Sequence, residues 1–261
     1  METDGPERLL VVVAHPDDES FGCGSLLAQA SARGVRATVC CATRGEAGED
    51  SRGLARTGTL GELREQELRT AAALLGVAEV RLLDWLDSAM VGEPVAGSLA
   101  AAPVDEVSDV IVEVIEQVRP TVVVTLDGSD GHRDHAQIRD ATLAALDQAE
   151  WQPERAYLNC LARSNMARWV EYLTESNPGS DYLELGQLGT PDEQITTIID
   201  ASDVYELRWQ AIKAHASQTS PFEILPPHLQ RAFLATDRLR RIRPPWDGST
   251  VETQIFTRDN V

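Results

Sequence analysis

The sequence is short of positive charge. Its 261 residues carry 23 lysines and arginines against 42 aspartates and glutamates, a formal net charge of −19, and Lys213 is the only lysine. Binding to nucleic acid draws on cationic side chains that neutralise phosphates, so no nucleic-acid partner is expected. Cysteine is scarce too. Cys23, Cys40, Cys41 and Cys160 lack the paired spacing of a zinc ribbon, and adjacent Cys40 and Cys41 point to opposite faces of a strand. They read as small buried hydrophobes, and neither disulfides nor structural metals are expected to hold the fold. No apolar run is long enough for a signal core or a membrane span, and residues 1–7 carry no positive leader region, so the expected location is cytoplasmic with no membrane segment. Internal repeats and strongly biased stretches are missing as well.

What is present is an alternation of strand and helix patterns. Residues 9–13, Leu-Leu-Val-Val-Val, have the length and β-branched content of a strand buried on both faces, and 22–32 read as the helix after it. Further strands are expected at 37–43, 80–83, 121–126 and 156–161, with helices at 60–75, 105–118 and 136–149. Residues 50–59 read as a loop and 87–103 as a long connection of the kind that borders active sites. The pattern predicts an α/β fold, a Rossmann-like, mostly parallel sheet with helices on both faces. Beyond residue 161 the rhythm breaks. A helix at 169–174, a turn at 177–180, a strand at 194–199, a helix at 204–217 and a strand at 250–257 are expected there. The chain is read as a single domain over 1–261, with a Rossmann-like core over 1–161 and a C-terminal portion over 162–261 that caps the active-site edge.

Two polar clusters each follow a strand directly. Val13 and Ala14 run into His15-Pro16-Asp17-Asp18-Glu19, and Leu126 into Asp127-Gly128-Ser129-Asp130-Gly131-His132-Arg133-Asp134-His135. In an open α/β sheet the carboxyl ends of strands, at the point where strand order reverses, are where ligands bind. His15 and Asp18, three apart across a strand-to-helix turn, suit one metal ion, and His135 adds a third ligand if the two strands are neighbours. Two imidazoles and a carboxylate, with no sulfur, favour a catalytic Zn²⁺ with one position open to water, one ion per chain, without excluding another divalent metal. Asp17, beside Asp18 but aimed differently, is the expected general base. His132 then stands opposite, its charge or N–H stabilising an oxyanion, and Asp134 holds one of the histidines by its second nitrogen. Each element taken alone has a plainer explanation, Asp-Asp as a helix start and His-x-x-His as a polar loop. The coincidence of two complementary clusters is what favours a site.

Ala14-His15-Pro16-Asp17-Asp18-Glu19 together with His132-x-Asp134-His135 resembles the LmbE-like/PIG-L family of zinc-dependent N-deacetylases, which includes enzymes of mycothiol and bacillithiol biosynthesis and GlcNAc-phosphatidylinositol de-N-acetylases. The turn at 43–48, Arg64-x-x-Glu67 leading into Leu75-Gly76, and Lys213-Ala214-His215-Ala216-Ser217-Gln218 extend the likeness over most of the chain. The resemblance implies that His15, Asp18 and His135 bind zinc, that Asp17 is the base, and that His132 acts on the oxyanion or the leaving amine. It also implies substrate contacts from Arg64 and Glu46. Two departures bear on substrate: Asp130 stands where mycothiol-type members have a tyrosine, and Arg133 replaces the proline of His-Pro-Asp-His, either to pair with Asp130 or an anionic substrate or to face solvent.

The expected function is therefore hydrolysis of an N-acetyl or other N-acyl group from an amino sugar or related small metabolite, a small-molecule partner, with a homo-oligomer compatible with the sequence. Rivals are an amidase acting on a larger N-acyl or thiol-conjugate substrate, a metal-dependent phosphoesterase, which needs two metals, and a metal-binding module without turnover. A dinucleotide site at Gly22-Cys23-Gly24 lacks its third glycine, since Leu27 stands there. His215, Gln218 and His228 are left outside catalysis.

Overall fold

The computed structural model describes residues 5–55, 59–90, 92–179, 183 and 186–258. Residues 1–4, on which part of the leader reading rests, residues 56–58 of the expected loop and Ser180 of the expected turn lie outside the described residues. Seven strands form one sheet. Five of them, β1 (Arg8–Val13), β2 (Arg36–Cys41), β3 (Glu79–Leu82), β4 (Val122–Leu126) and β5 (Arg155–Asn159), are parallel, in the order β3-β2-β1-β4-β5. The sheet continues through β7 (Thr236–Arg243), antiparallel to β5, to β6 (Thr197–Asp200) at the edge. The mostly parallel α/β sheet expected from the sequence is the observed one.

β1 sits in the middle because its side chains allow it: Leu9 to Val13 are wholly buried, as a parallel strand covered on both faces requires. The helices covering the two faces fall into two groups. α4 (Val104–Val118) packs on α5 (Arg133–Gln148), while α2 (Gly24–Ala32) and α3 (Leu60–Leu74) pack on α7 (Tyr205–Ala214). Strand order reverses at β1, whose neighbours β2 and β4 belong to opposite windings. The crevice at the carboxyl ends of β1 and β4 is thus the switch point, and both histidine clusters open onto it.

The expectations fail in instructive places. The helix expected over 22–32 is α2, and a short unexpected helix, α1 (Asp18–Phe21), precedes it with Gly22 and Cys23 between them. α5 begins at Arg133 rather than 136, so Asp134 and His135 lie in its first turn and His132 is its N-cap. α7 ends at Ala214, which leaves His215 as its cap instead of a helical residue. α6 (Arg163–Ser176) is more than twice the length expected. The last sheet strand is β7 rather than residues 250–257, of which Glu252 alone makes an isolated bridge, to Thr197. α8 (Pro227–Leu234) was not expected at all. Among the described residues no helix is long and apolar enough to cross a membrane.

Candidate active site

Beyond Val13 the chain turns sharply into α1. Asp17 takes the unusual backbone angles φ 129° and ψ −31°, a conformation that costs a residue with a Cβ about 1–3 kcal/mol. Its surroundings hold it there. The Asp17 N–H donates to Glu19 Oε2 at 3.0 Å, and its Oδ2 accepts from Arg64 Nη2 at 3.0 Å. Asp18 folds the other way, its Oδ2 accepting from the N–H groups of Ala14 (3.1 Å) and His15 (2.8 Å). The turn therefore splits two adjacent carboxylates between different partners.

At the end of β4 the loop closes into α5. His132 Nδ1 accepts from the Asp134 N–H at 3.2 Å, which leaves the proton on Nε2 as a donor toward the crevice. Asp134 is fully buried, with Oδ2 3.1 Å from His15 Nε2 and accepting from the Ser88 N–H at 2.9 Å. Asp130 Oδ2 lies 2.5 Å from His135 Nδ1, and its Oδ1 accepts from the His132 N–H at 3.1 Å. Each of His15 and His135 is thus oriented by a carboxylate on one nitrogen while its other nitrogen points inward, the arrangement of metal-ligating histidines.

Those inward atoms converge. His15 Nδ1 is 3.3 Å from His135 Nε2, His135 Nε2 is 3.2 Å from Asp18 Oδ1, and His15 Nδ1 is 3.6 Å from Asp18 Oδ2. Four-coordinate zinc with bonds of about 2.0–2.2 Å separates neighbouring donor atoms by about 3.3 Å, so this donor set fits such an ion. Among the described residues two groups bring one ligand atom per residue within 4.8 Å of one another, namely His15 with His132 and His135, and His15 with Asp87 and Asp134. In the first, the Nδ1 of His132 is already hydrogen-bonded and its ring stacks on His135 with centroids 4.8 Å apart. In the second, both carboxylates accept backbone N–H groups, from Ala89 and Ser88, and Asp134 engages the outer nitrogen of His15. In His15, Asp18 and His135 the two imidazoles approach different oxygens of Asp18, His15 at Oδ2 and His135 at Oδ1.

Electrostatics divides the roles further. Burial pushes the Asp17 carboxyl up, against the pull of Arg64, to about 6. Asp18 is held well below the carboxylate range: burial opposes its charge, but His135 and His15 outweigh it. Burial lowers His15, yet its bonds to Asp134 and Asp18 bring it to about 9, and His135 is likewise raised by Asp18 and Asp130. His132 goes the opposite way, to about 4, through burial and the two neighbouring imidazoles. At neutral pH it is an uncharged N–H donor.

Arg64 is almost fully buried and donates to the carbonyls of Gly45 and Pro16, both at 2.7 Å, besides Asp17. Glycine at 45, with φ 64°, is what admits it: a Cβ there would overlap the guanidinium. The expected substrate contact thus sits against the expected base. Glu46 is half-buried, accepts from the Asp87 N–H at 3.0 Å through Oε1, and has a buried Oε2 without a partner among the described residues. Arg133 donates to the Gly92 carbonyl at 2.8 Å, so its pairing with Asp130 is not observed; His135 takes that carboxylate instead.

Three roles escaped the sequence reading. Asp130 is read from the sequence as a tyrosine's replacement and a candidate partner for Arg133, not as the support of His135 that it is. The backbone around Ser88 sits in a connection with no period to read. His215, read from the sequence as able to reach the pocket but left outside catalysis, is fully buried and lies 2.7 Å from Glu19 Oε1, the carboxylate that holds the Asp17 N–H.

Comparison with known proteins adds independent findings. Residues 10–146 match the family described as PIG-L, GlcNAc-PI de-N-acetylase. The chain is 38% identical over 249 residues to the 1D-myo-inositol 2-acetamido-2-deoxy-alpha-D-glucopyranoside deacetylase of Acidothermus cellulolyticus, spanning 86% of this chain and 85% of that protein. In three dimensions it resembles N,N'-diacetylchitobiose deacetylase from Pyrococcus horikoshii, with a TM-score of 0.58 and 20% identity over 90% of this chain and 84% of the other. It also resembles 4-carboxy-2-hydroxymuconate hydratase from Pseudomonas putida, with a TM-score of 0.59 and 17% identity over 93% and 99%. At such identities the likeness is one of fold, and a fold that carries both a deacetylase and a hydratase leaves the chemistry to be argued from the site.

Proposed function

Because the chain belongs to the PIG-L family of GlcNAc-PI de-N-acetylases, we propose that it is a metal-dependent hydrolase that removes an N-acetyl, or another N-acyl, group from an amino sugar or related small metabolite. The observation that carries this is the convergence of His15 Nδ1, Asp18 and His135 Nε2 within 3.2–3.6 Å, beside a buried carboxyl at Asp17. Zn²⁺ is the ion this donor set favours. Bound there, it supplies Lewis acidity, which acidifies water and polarises a carbonyl.

The chain's own groups do the rest. Asp17 takes a proton from the attacking water, a task suited to a carboxylate whose proton affinity is raised toward the working pH. His132 Nε2–H donates to the carbonyl oxygen as negative charge builds on it, with Nδ1 pinned by the Asp134 N–H. Asp17, once protonated, returns the proton to the departing nitrogen. Asp134 and Asp130 keep His15 and His135 turned inward. Asp18 stays ionised throughout. Glu46 and Arg64 are the proposed substrate contacts, and residues beyond 161 the proposed cover, six of them lining a pocket that His132 and His135 also line.

A two-metal phosphoesterase fits less well, since a second ion beside Asp87 and Asp134 would draw on the outer nitrogen of His15, which Asp134 already faces. The deciding experiment incubates the zinc-loaded enzyme with N-acetylglucosaminyl-inositol and simpler N-acetylated amino sugars and measures amine and acetate together. Equimolar release, abolished by chelation and restored by one equivalent of zinc per chain, is expected. Phosphate release from phosphoesters without amide cleavage would refute the proposal.

A further inference from the structure

Against His132 and His135 of the reacting centre lies a pocket of about 150 Å³. Asp130, His132 and His135 form one end of it, and the remaining wall is apolar, including Met166 and Trp169 of α6, Leu188, Phe222, and Phe233 of α8. Trp169, Met166, Leu188 and Phe222 are each at least nine-tenths buried and belong to one apolar cluster, so the wall is built rather than accidental. The rings also brace one another, Phe222 against Phe21 at 5.9 Å and against Phe233 at 5.8 Å between centroids.

The pocket is therefore polar where it meets the reacting centre and apolar elsewhere. A sugar brings hydroxyls that need partners. Along the apolar wall, hydroxyls would be desolvated without compensation. An acyl chain has the opposite requirement. A dry apolar cavity of about 150 Å³ accommodates a benzene molecule, six carbons. The methyl of an acetyl group would occupy a small part of it.

We propose that this pocket is an acyl-chain subsite and that the enzyme prefers N-acyl substrates whose acyl group has about six carbons, straight-chain or aromatic, over N-acetyl ones. The inference rests on the N-deacylase function proposed above. In the reaction, water adds its oxygen to the acyl carbon and the C–N bond breaks. The electron pair leaves with nitrogen, which takes up a proton, and the products are a carboxylate and an amine. No oxidant or further reactant is required. The chain beyond the acyl carbon lies along Trp169 and Phe222 throughout.

The test compares N-acetyl-, N-butyryl-, N-hexanoyl- and N-decanoylglucosamine by amine release, alongside N-hexylacetamide, which places the six carbons on nitrogen. Each buried methylene is expected to raise kcat/KM about fourfold, roughly two orders of magnitude from acetyl to hexanoyl, with a decline at decanoyl. In Met166→Trp, which fills the pocket, the hexanoyl-to-acetyl ratio should fall toward one or below. Acetyl equal to or better than hexanoyl, or acceleration only by the chain on nitrogen, would overturn the assignment while leaving the N-deacylase function intact. A binding measurement that needs no turnover separates the two ideas: the perturbation of tryptophan fluorescence by hexanoate and by acetate, in the wild-type enzyme and in Trp169→Phe. Tighter binding of hexanoate, with the signal lost in Trp169→Phe, supports the pocket even if no amide is cleaved, and equal binding refutes it.

Discussion

Arg64 Nη2 stands 3.0 Å from Asp17 Oδ2 and 2.7 Å from the Pro16 carbonyl, so a single guanidinium nitrogen holds both the carboxylate and the turn that presents it. A cation at that distance ordinarily drives a carboxyl pKa down by one to three units. Here burial acts more strongly in the other direction, and Asp17 stands near 6. The pair keeps a carboxylate ionised at neutral pH while leaving it a useful appetite for a proton.

The first prediction concerns that proton. Asp17 must be ionised to act, so kcat/KM should fall as pH drops through about 6. Asp17→Asn should lose turnover by roughly 10²–10⁴-fold and still bind one metal per chain. A pH–rate profile with metal analysis of the purified variant checks both, and full activity in Asp17→Asn would remove it from the mechanism.

Arg64→Met takes away the charge that lowers the Asp17 pKa. Without it, Asp17 protonates more readily and the acidic limb of the profile should move to higher pH. Gly45→Ala, which crowds the same guanidinium, should move it in the same direction. A purely structural role for Arg64 would reduce activity at every pH and leave the limb in place.

Metal affinity should separate ligands from the residues behind them. His135→Ala and Asp18→Asn are expected to purify without metal. Asp130→Asn removes no ligand and should weaken binding by roughly 10–100-fold. His15 stands near 9 in the metal-free site, so it must give up a proton on binding, and affinity should climb as pH rises toward that value. Competition with a chelator at pH 6.5 and 8.5 measures this.

Glu19 and His215 form an ion pair with no solvent exposure of either side chain. His215→Ala leaves that carboxylate in the interior without its charge partner, a change that typically costs about 3–5 kcal/mol. The folded pKa of His215 is raised: burial alone would lower it, but Glu19 outweighs that. The pair's contribution is therefore complete below the unfolded value of 6.5 and fades as pH rises through the folded one. Urea unfolding of wild type and variant should show the largest gap at pH 6 and a smaller one in alkali.

Much of this architecture could be read from the chain because the informative residues obey simple periods. Residues 9–13 are an unbroken apolar run ending in ionisable groups, and the same signal recurs at β4, which is why two clusters 120 residues apart could be paired in advance. What stayed hidden depended on tertiary partners. β7 carries Asp237 at an inward position, where it meets Arg208 at 3.0 Å, and arginines at four of its eight residues, so no apolar alternation survives to mark a strand. The start of α5 was misplaced because His132 serves as its cap, a role more often filled by serine, threonine or an acid. The support of His135 by Asp130 and of Asp17 by Arg64 comes from contacts across loops that spacing alone does not specify.

The backbone of Asp17 has a consequence for any attempt to evolve this protein. At φ 129° a glycine would rest more comfortably than an aspartate, so Asp17→Gly should relieve local strain and forfeit the base. Selection in the laboratory for heat resistance alone would reward that exchange and drift toward sturdier, inert molecules. A screen for thermostable variants would have to demand turnover in every round to keep the one residue that the fold holds against its own preference.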